Sequence, residues 1–252
     1  MIIREELSRY LDTLLDCAAY QDYAPNGLQV AGRSCIESIC TAVTASYEVI
    51  EKAILAKADA LIVHHGYFWK GEDPTLTGMK RQRVAQLIQH DLNLFAYHLP
   101  LDCHRSLGNN AGLANQLQAT HVTQHSAGGI VGVLWSGQLP EAMDAAVLSR
   151  LLTKQLQRKP LHIAGNQKPI RRLAWCSGGA QDFIVEAHQL GVDAYLSGEI
   201  SERTFYQAKE LGIHYFACGH HASERYGVQA LGQHLSHKFS LAHQFIDSDN
   251  PV

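Results

Sequence analysis

The stretch that most constrains this chain is Asp59-Ala60-Leu61-Ile62-Val63-His64-His65-Gly66. Four apolar residues run directly into two histidines and a glycine. A run this short and this apolar reads as a buried parallel strand. The histidines then fall at its carboxyl end, where open α/β sheets place their ligands. Neighbouring strand residues point to opposite faces, so the pair can serve one site only where the strand yields to a loop, as Gly66 allows. A histidine pair alone is weak evidence for a metal. The decision rests on what other strand ends supply.

The 252 residues suffice for one large or two small domains with real cores. A formal net charge of -3, without blocks of like charge, disfavours a nucleic-acid binder working through bulk electrostatics. The cysteines (Cys17, Cys35, Cys40, Cys103, Cys176 and Cys218) form no C-x-x-C pair. That argues against a zinc ribbon or thioredoxin-like motif and points to reduced, mostly buried thiols of a cytoplasmic protein. The first residues lack the apolar core of a signal peptide, and no apolar run reaches the ~20 residues of a membrane span. The unusual number is 15 histidines.

Periodicity predicts alternating helices and strands. Leu7, Tyr10, Leu11, Leu14 and Leu15 mark an amphipathic first helix. Strands are expected at 36–43, 92–97, 128–135, 172–176, 193–196 and 213–217, with a last short one at 244–246. Helices are expected after Ser46 and over 81–90, 107–117, 141–156, 181–190, 202–211 and 223–235. Residues 51–65, EKAILAKADALIVHH, match 185–199, VEAHQLGVDAYLSGE, in the order helix, Asp-Ala, apolar strand, polar end. Leu94 to His98 likewise echoes Tyr215 to His220. The expected fold is therefore α/β: two similar halves from an internal duplication, 1–124 and 125–252, each a mostly parallel sheet flanked by helices.

Four strand ends carry polar clusters: His64-His65, His98 to Asp102, Ser197 to Glu199, and His220-His221 with Glu224 just beyond. His220 and Glu224 are four apart and can share a helix face. Imidazole with carboxylate suits zinc, iron, manganese, nickel or cobalt. Two or three histidines plus two carboxylates exceed what one ion needs and fit two divalent ions.

As a set, Asn26-Gly27-Leu28-Gln29-Val30, His64-His65-Gly66, His98-Leu99-Pro100-Leu101-Asp102 and Gly219-His220-His221-Ala222-Ser223-Glu224 resemble the dinuclear-metal hexameric proteins of the GTP cyclohydrolase 1 type 2 (Nif-three-like) family. The match runs in order over almost the whole chain and is to the short bacterial form. The resemblance implies a two-ion site at the junction of the halves, inside a toroidal homohexamer. It implies His64, His65, Asp102, His220 and Glu224 as metal ligands, with Asp102 the bridge. His98 matches a position beside the site, and Glu199 stands at the repeat position of His65; these two are the catalytic candidates. His221 departs from the aromatic residue of many relatives and is left outside the ligand set. The implied activity is hydrolysis of GTP or a related, even damaged, nucleotide through metal-activated water. The alternative is a metal-binding or metal-delivery scaffold without turnover. Ser177-Gly178-Gly179 is a second-rank candidate for a phosphate loop, with a tight turn as the alternative. Tyr67-Phe68-Trp69 could stack on a base or anchor a loop.

Overall fold

The computed structural model describes all residues, 1–252. In chain order the elements are β1 (Ile2–Ile3), α1 (Arg4–Leu14), β2 (Gly27–Val30), β3 (Cys35–Ile36), β4 (Ser38–Thr44), α2 (Tyr47–Leu55), β5 (Ala60–His65), α3 (Gly78–Gln89), β6 (Asn93–Ala96) and α4 (Leu99–Cys103). There follow α5 (Asn109–Gln116), β7 (Thr120–Ala127), β8 (Ile130–Met143), α6 (Ala145–Leu156), β9 (Leu161–Ile163), β10 (Ile170–Trp175), α7 (Ile184–Gln189), β11 (Ala194–Ser197), α8 (Glu202–Leu211), β12 (His214–Ala217), α9 (His220–Phe239) and β13 (Ala242–Phe245).

The chain forms two compact units, residues 1–108 with 227–249, and residues 109–226 with 250–252. The sequence-based division after residue 124 falls elsewhere, because α5 packs its Ala111, Leu113 and Ala114 into the core of the second unit. The later part of α9 supplies Val228, Leu231 and Leu235 to a core of the first. A division by sequence order cannot register such a return of the chain.

In the first unit the sheet order is β13-β4-β5-β6-β2, parallel except for β2. The organising strand β5 lies between β4 and β6, and Ala60 to Val63 are fully buried, as its unbroken apolar run requires. In the second unit the order is β7-β8-β10-β11-β12-β9. Here β10, β11 and β12 are parallel, with antiparallel neighbours at both sides, so this sheet is mixed.

The duplication is visible element by element. Apart from the two-residue β3, one unit runs α1-β2-β4-α2-β5-α3-β6 and the other α6-β9-β10-α7-β11-α8-β12. In each, the first strand of the series returns to pair antiparallel with the last. The repeated Asp-Ala explains itself. Asp59 Oδ2 accepts the backbone N–H groups of Glu37 and Ser38 at 2.8 and 2.9 Å. Asp193 Oδ2 accepts those of Arg171 and Arg172 at 2.9 and 2.8 Å. The backbone of each aspartate also links both neighbours: Asp59 carbonyl to Asn93 and Asp193 carbonyl to His214, at 3.1 and 3.0 Å. One aspartate, through its carboxylate on one side and its backbone on both, thus fixes the starting register of three parallel strands, and so aligns their carboxyl ends.

Most predicted elements appear, with shifted bounds. Ser46 caps α2 through Val49 N–H, and Ser201 with Thr204 forms a capping box on α8. Three differences have physical causes. β7 escapes prediction because THVTQHSA is polar and mostly exposed, with no alternation. It pairs with β8 across Gly128-Gly129, both at positive φ, a glycine hairpin turn. β8 continues to Met143, so the helix expected from 141 starts at Ala145. α9 begins at His220, not Ser223, because Gly219 at φ 95° turns the chain directly from β12 into the helix. No helix is long and apolar enough to cross a membrane. All six cysteines are free thiols.

If the two aspartates are equivalent staples, Asp59→Ala and Asp193→Ala should each lower stability by about 1.5–3 kcal/mol, the range for hydrogen bonds to a charged group. Asp59→Ala should cost more, since Asp59 also holds Arg33 at 2.9 Å. Urea unfolding of the two variants checks this; no loss in either would refute the staple.

Candidate metal centre

In the first unit, β5 ends in His64 and His65 and β6 leads into His98. The side chains of these three histidines form a cluster whose candidate ligand atoms all lie within 4.8 Å of one another. His64 is fully buried. Its Nδ1 lies 2.8 Å from the carbonyl of Tyr97, which can only accept, so Nδ1 carries the proton and Nε2 presents a lone pair. Nε2 is 3.5 Å from Asp102 Oδ2 on α4, and Asp102 is itself buried. Two lone-pair atoms at that distance in a buried site repel unless a proton or metal cation lies between them. His65 contacts the Thr44 hydroxyl through Nδ1 at 3.1 Å, from the neighbouring strand end.

His98 is held by a residue that sequence reasoning missed. Its Nδ1 donates to Asp22 Oδ1 at 2.7 Å. Asp22 also accepts the backbone N–H groups of Tyr23 and Leu99 and the Asn26 amide. Burial opposes the charge on Asp22, but the hydrogen bonds and charge of His98, with those of Asn26 and the Tyr23 N–H, hold its carboxyl below the usual range. The Asn26 carbonyl oxygen in turn accepts His98 N–H at 2.8 Å. The motif from Asn26 to Val30 is therefore a clamp. Gln29 grips both backbone groups of Tyr67, at 2.7 and 3.0 Å, and so fixes the turn after β5. Nothing in an isolated Asp-Tyr-Ala-Pro-Asn segment distinguishes Asp22 from any loop acid.

Tyr67 anchors its loop, buried with its hydroxyl on the Ala45 carbonyl. Trp69 stands edge-on to His98 with ring centroids 5.1 Å apart, and Tyr23 does so at 6.2 Å.

In the second unit, β10, β11 and β12 end at Cys176-Ser177-Gly178, Gly198-Glu199 and Cys218-Gly219. His220 and Glu224 occupy the first turns of α9, with His220 Nε2 3.2 Å from Glu224 Oε1. His220 Nδ1 lies 2.7 Å from Glu199 Oε1. Burial works against the charged imidazole, but Glu224 and Glu199 outweigh it and lift His220 to about 9. Glu199 thus stands to His220 as Asp22 stands to His98. In His64, His98 and His220 Nδ1 is bound by an acceptor, the usual orientation of a metal-site or catalytic imidazole, and the Nε2 atoms of His64 and His220 face the carboxylates of Asp102 and Glu224.

Gly178 shows how tightly this cluster is built. At φ 67°, a side chain here would put its Cβ inside contact distance of Glu224 Oε1 and 3.2 Å from His220 Nε2. The loop is a tight turn. Ser177 N–H binds Asn110, Gly178 N–H binds Ser223, and Ala180 N–H reaches Ser197. Those three N–H groups are committed within the protein, which favours the tight turn over a phosphate cradle. His221, outside the predicted ligand set, is buried, with its N–H on the Val252 carbonyl at 3.0 Å.

The fold and these clusters define an α/β protein with two related sheets, whose strand ends carry imidazole and carboxylate groups able to hold metal ions. The model of the Duf34/NIF3 (NGG1p interacting factor 3) family matches residues 2–251, and the chain belongs to that family. It is 49% identical over 247 residues to a GTP cyclohydrolase 1 type 2 homolog of Allochromatium vinosum, covering 98% of this chain and 96% of that protein. It is 49% identical over 248 residues to the Pseudomonas aeruginosa protein of the same name, with the same coverage. Among solved structures, the ybgI protein, described as of unknown function, superposes with a TM-score of 0.95 at 44% identity over 100% of both chains. TTHA1606 of Thermus thermophilus does so at 0.90 and 32%, again over 100% of both.

Gly178→Ala should displace Glu224 without unfolding the sheet. Calorimetric titration with zinc or manganese should show affinity at least about tenfold weaker than in the unaltered protein, as for loss of a supporting group. Unchanged affinity would mean that Glu224 is not a ligand.

Proposed function

We propose that this protein is a metal-dependent hydrolase that binds two divalent ions, held by His64, His65 and Asp102 and by His220 and Glu224. The observation that carries the reading is the buried pair His64–Asp102. Its imidazole is fixed by the Tyr97 carbonyl so that Nε2 faces a carboxylate oxygen at 3.5 Å. A donor set of imidazoles and carboxylates, without thiolate, suits zinc, iron, manganese, nickel or cobalt in a catalytic rather than a purely structural role. Bound ions would supply an activated water and charge stabilisation for attack on carbon or phosphorus.

The chain's own residues supply the rest. His98, held by Asp22 through Nδ1, presents Nε2 to substrate and carries a proton to or from it. Glu199 orients His220 and raises its basicity. Trp69 and Tyr23 stand edge-on to His98 on that side. The relatives' name, GTP cyclohydrolase 1 type 2 homolog, supports GTP or a related nucleotide as substrate. No residue of the two clusters reads as guanine-specific, so a damaged or different nucleotide fits the same parts. The family resemblance also supports a toroidal homohexamer, and the free thiols support a cytoplasmic setting.

Asp102→Asn and His98→Ala test the assignment. Asp102→Asn keeps shape but removes charge, so it should fold, retain at most one ion per chain by elemental analysis, and lose hydrolysis. His98→Ala should keep two ions and lose turnover of a nucleotide panel followed by mass spectrometry. The reverse pattern would exchange the two roles. Two exchangeable ions with no product from any nucleotide would favour a metal-delivery scaffold. Sedimentation should give a hexamer, and a monomer at micromolar concentration would reject that part.

A further inference from the structure

The three aromatic residues that follow Gly66 have different surroundings. Tyr67 is the buried anchor, and Phe68 lies under the Lys80 ammonium, 5.1 Å from the ring centroid. Trp69 alone turns to the histidines. Its ring stands edge-on to His98 with centroids 5.1 Å apart, and tilted to His65 at 5.9 Å. Tyr23, 54% exposed, reaches the same His98 from the loop before β2.

The indole is held there from several directions. Its Nε1 donates to the Gly66 carbonyl at 3.2 Å, and its backbone N–H donates to Glu72 Oε2 at 3.0 Å. The other oxygen of that carboxylate lies 3.2 Å from the Lys80 ammonium, which also donates to the Asp73 carbonyl at 2.8 Å. Lys80 is only 9% exposed, a place an ammonium tolerates when it is paired in this way. Lys70 N–H donates to the Tyr23 carbonyl at 2.6 Å, so the loops that carry the two rings are tied to each other. Phe68, immediately before Trp69, adopts φ 65°, a left-handed conformation that is strained for a bulky aromatic residue.

Burial does not account for this arrangement. Trp135 and Trp175 are 4% and 0% exposed in the core of the second unit, whereas Trp69 stays half-buried. An indole kept at the surface, with its N–H already bonded inside the protein, has no donor left to offer. What it offers a ligand is a broad, rigid π surface. Such a surface beside an imidazole suits stacking on a planar heteroaromatic ring, and it is indifferent to which hydrogen-bonding edge that ring carries.

We propose that Trp69, with Tyr23, is the specificity-determining surface of this site. It stacks on a planar fused heteroaromatic ring, such as a purine, and so sets that ring beside His98. The proposal rests on the reading that His98 faces substrate, and it goes further in naming what is recognised. Planarity is read rather than the guanine edge, in keeping with two clusters that contain no guanine-specific residue.

Tryptophan fluorescence of the full-length, metal-loaded protein tests it, because Trp69 is the one indole outside a core. Guanosine and adenosine serve as planar probes and ribose 5-phosphate as the non-planar control. Both nucleosides should quench the emission to saturation, ribose 5-phosphate should not, and Trp69→Phe should remove the quenching. By calorimetry Trp69→Leu should bind the nucleosides about ten- to hundredfold more weakly, the scale for loss of one stacked base. Trp69→Phe should retain most of the affinity, since it keeps a π face, and both variants should hold as many ions as the unaltered protein. The proposal fails if neither nucleoside binds, if Trp69→Leu binds them like the unaltered protein, or if bound nucleoside leaves the emission unchanged. That last readout decides the matter even where a variant loses its ions. Failure of the hydrolase reading looks different: the nucleosides bind and quench, but no nucleotide yields product.

Discussion

The hydrogen bond from His64 Nδ1 to the Tyr97 carbonyl, 2.8 Å long and buried, joins the carboxyl end of β5 to that of β6 just beyond their ladder. It does two things at once. It satisfies a backbone carbonyl where the strand turns away, and it fixes the tautomer that aims Nε2 at Asp102. An imidazole free to turn could relax away from the carboxylate. One held by the backbone cannot, so a cation or proton between the two is strongly favoured. The strand register set at the other end of the sheet by Asp59 makes this alignment possible, because parallel strands that start together bring their polar ends to one level.

Each unit repeats the same device in its own residues. An aspartate staples the strand starts, a glycine-bearing turn closes a strand end, and a carboxylate grips Nδ1 of a histidine. In the first unit that carboxylate is Asp22 on His98, and in the second it is Glu199 on His220. The duplication is thus one of mechanics as well as topology. The units differ at their edges: β13 extends the first sheet beside β4, and the β7–β8 hairpin extends the second beside β10. The imidazole and carboxylate clusters sit on the shared part.

The sequence made the central strands legible because fully buried parallel strands are written as unbroken apolar runs. The Asp-Ala repeat was legible as a repeat, but its work was not, since a backbone staple leaves no trace in composition. The site histidines could be read because they end such runs. Asp22 could not, as its partner lies 76 residues away. The hairpin β7–β8 was half hidden because β7 pairs through its backbone while showing polar side chains. His162 and His214 looked incidental in sequence, and only the antiparallel register of β9 and β12 brings their rings together.

The most direct test of the account is a crystal structure of the metal-loaded protein with anomalous data collected at the metal's absorption edge. The account predicts an anomalous peak at about 2.0–2.2 Å from both His64 Nε2 and an Asp102 oxygen, the usual range for such ligands. It also predicts that His64 Nδ1 stays on the Tyr97 carbonyl. No peak near either atom under saturating metal, with a proton shared between His64 and Asp102, would contradict it.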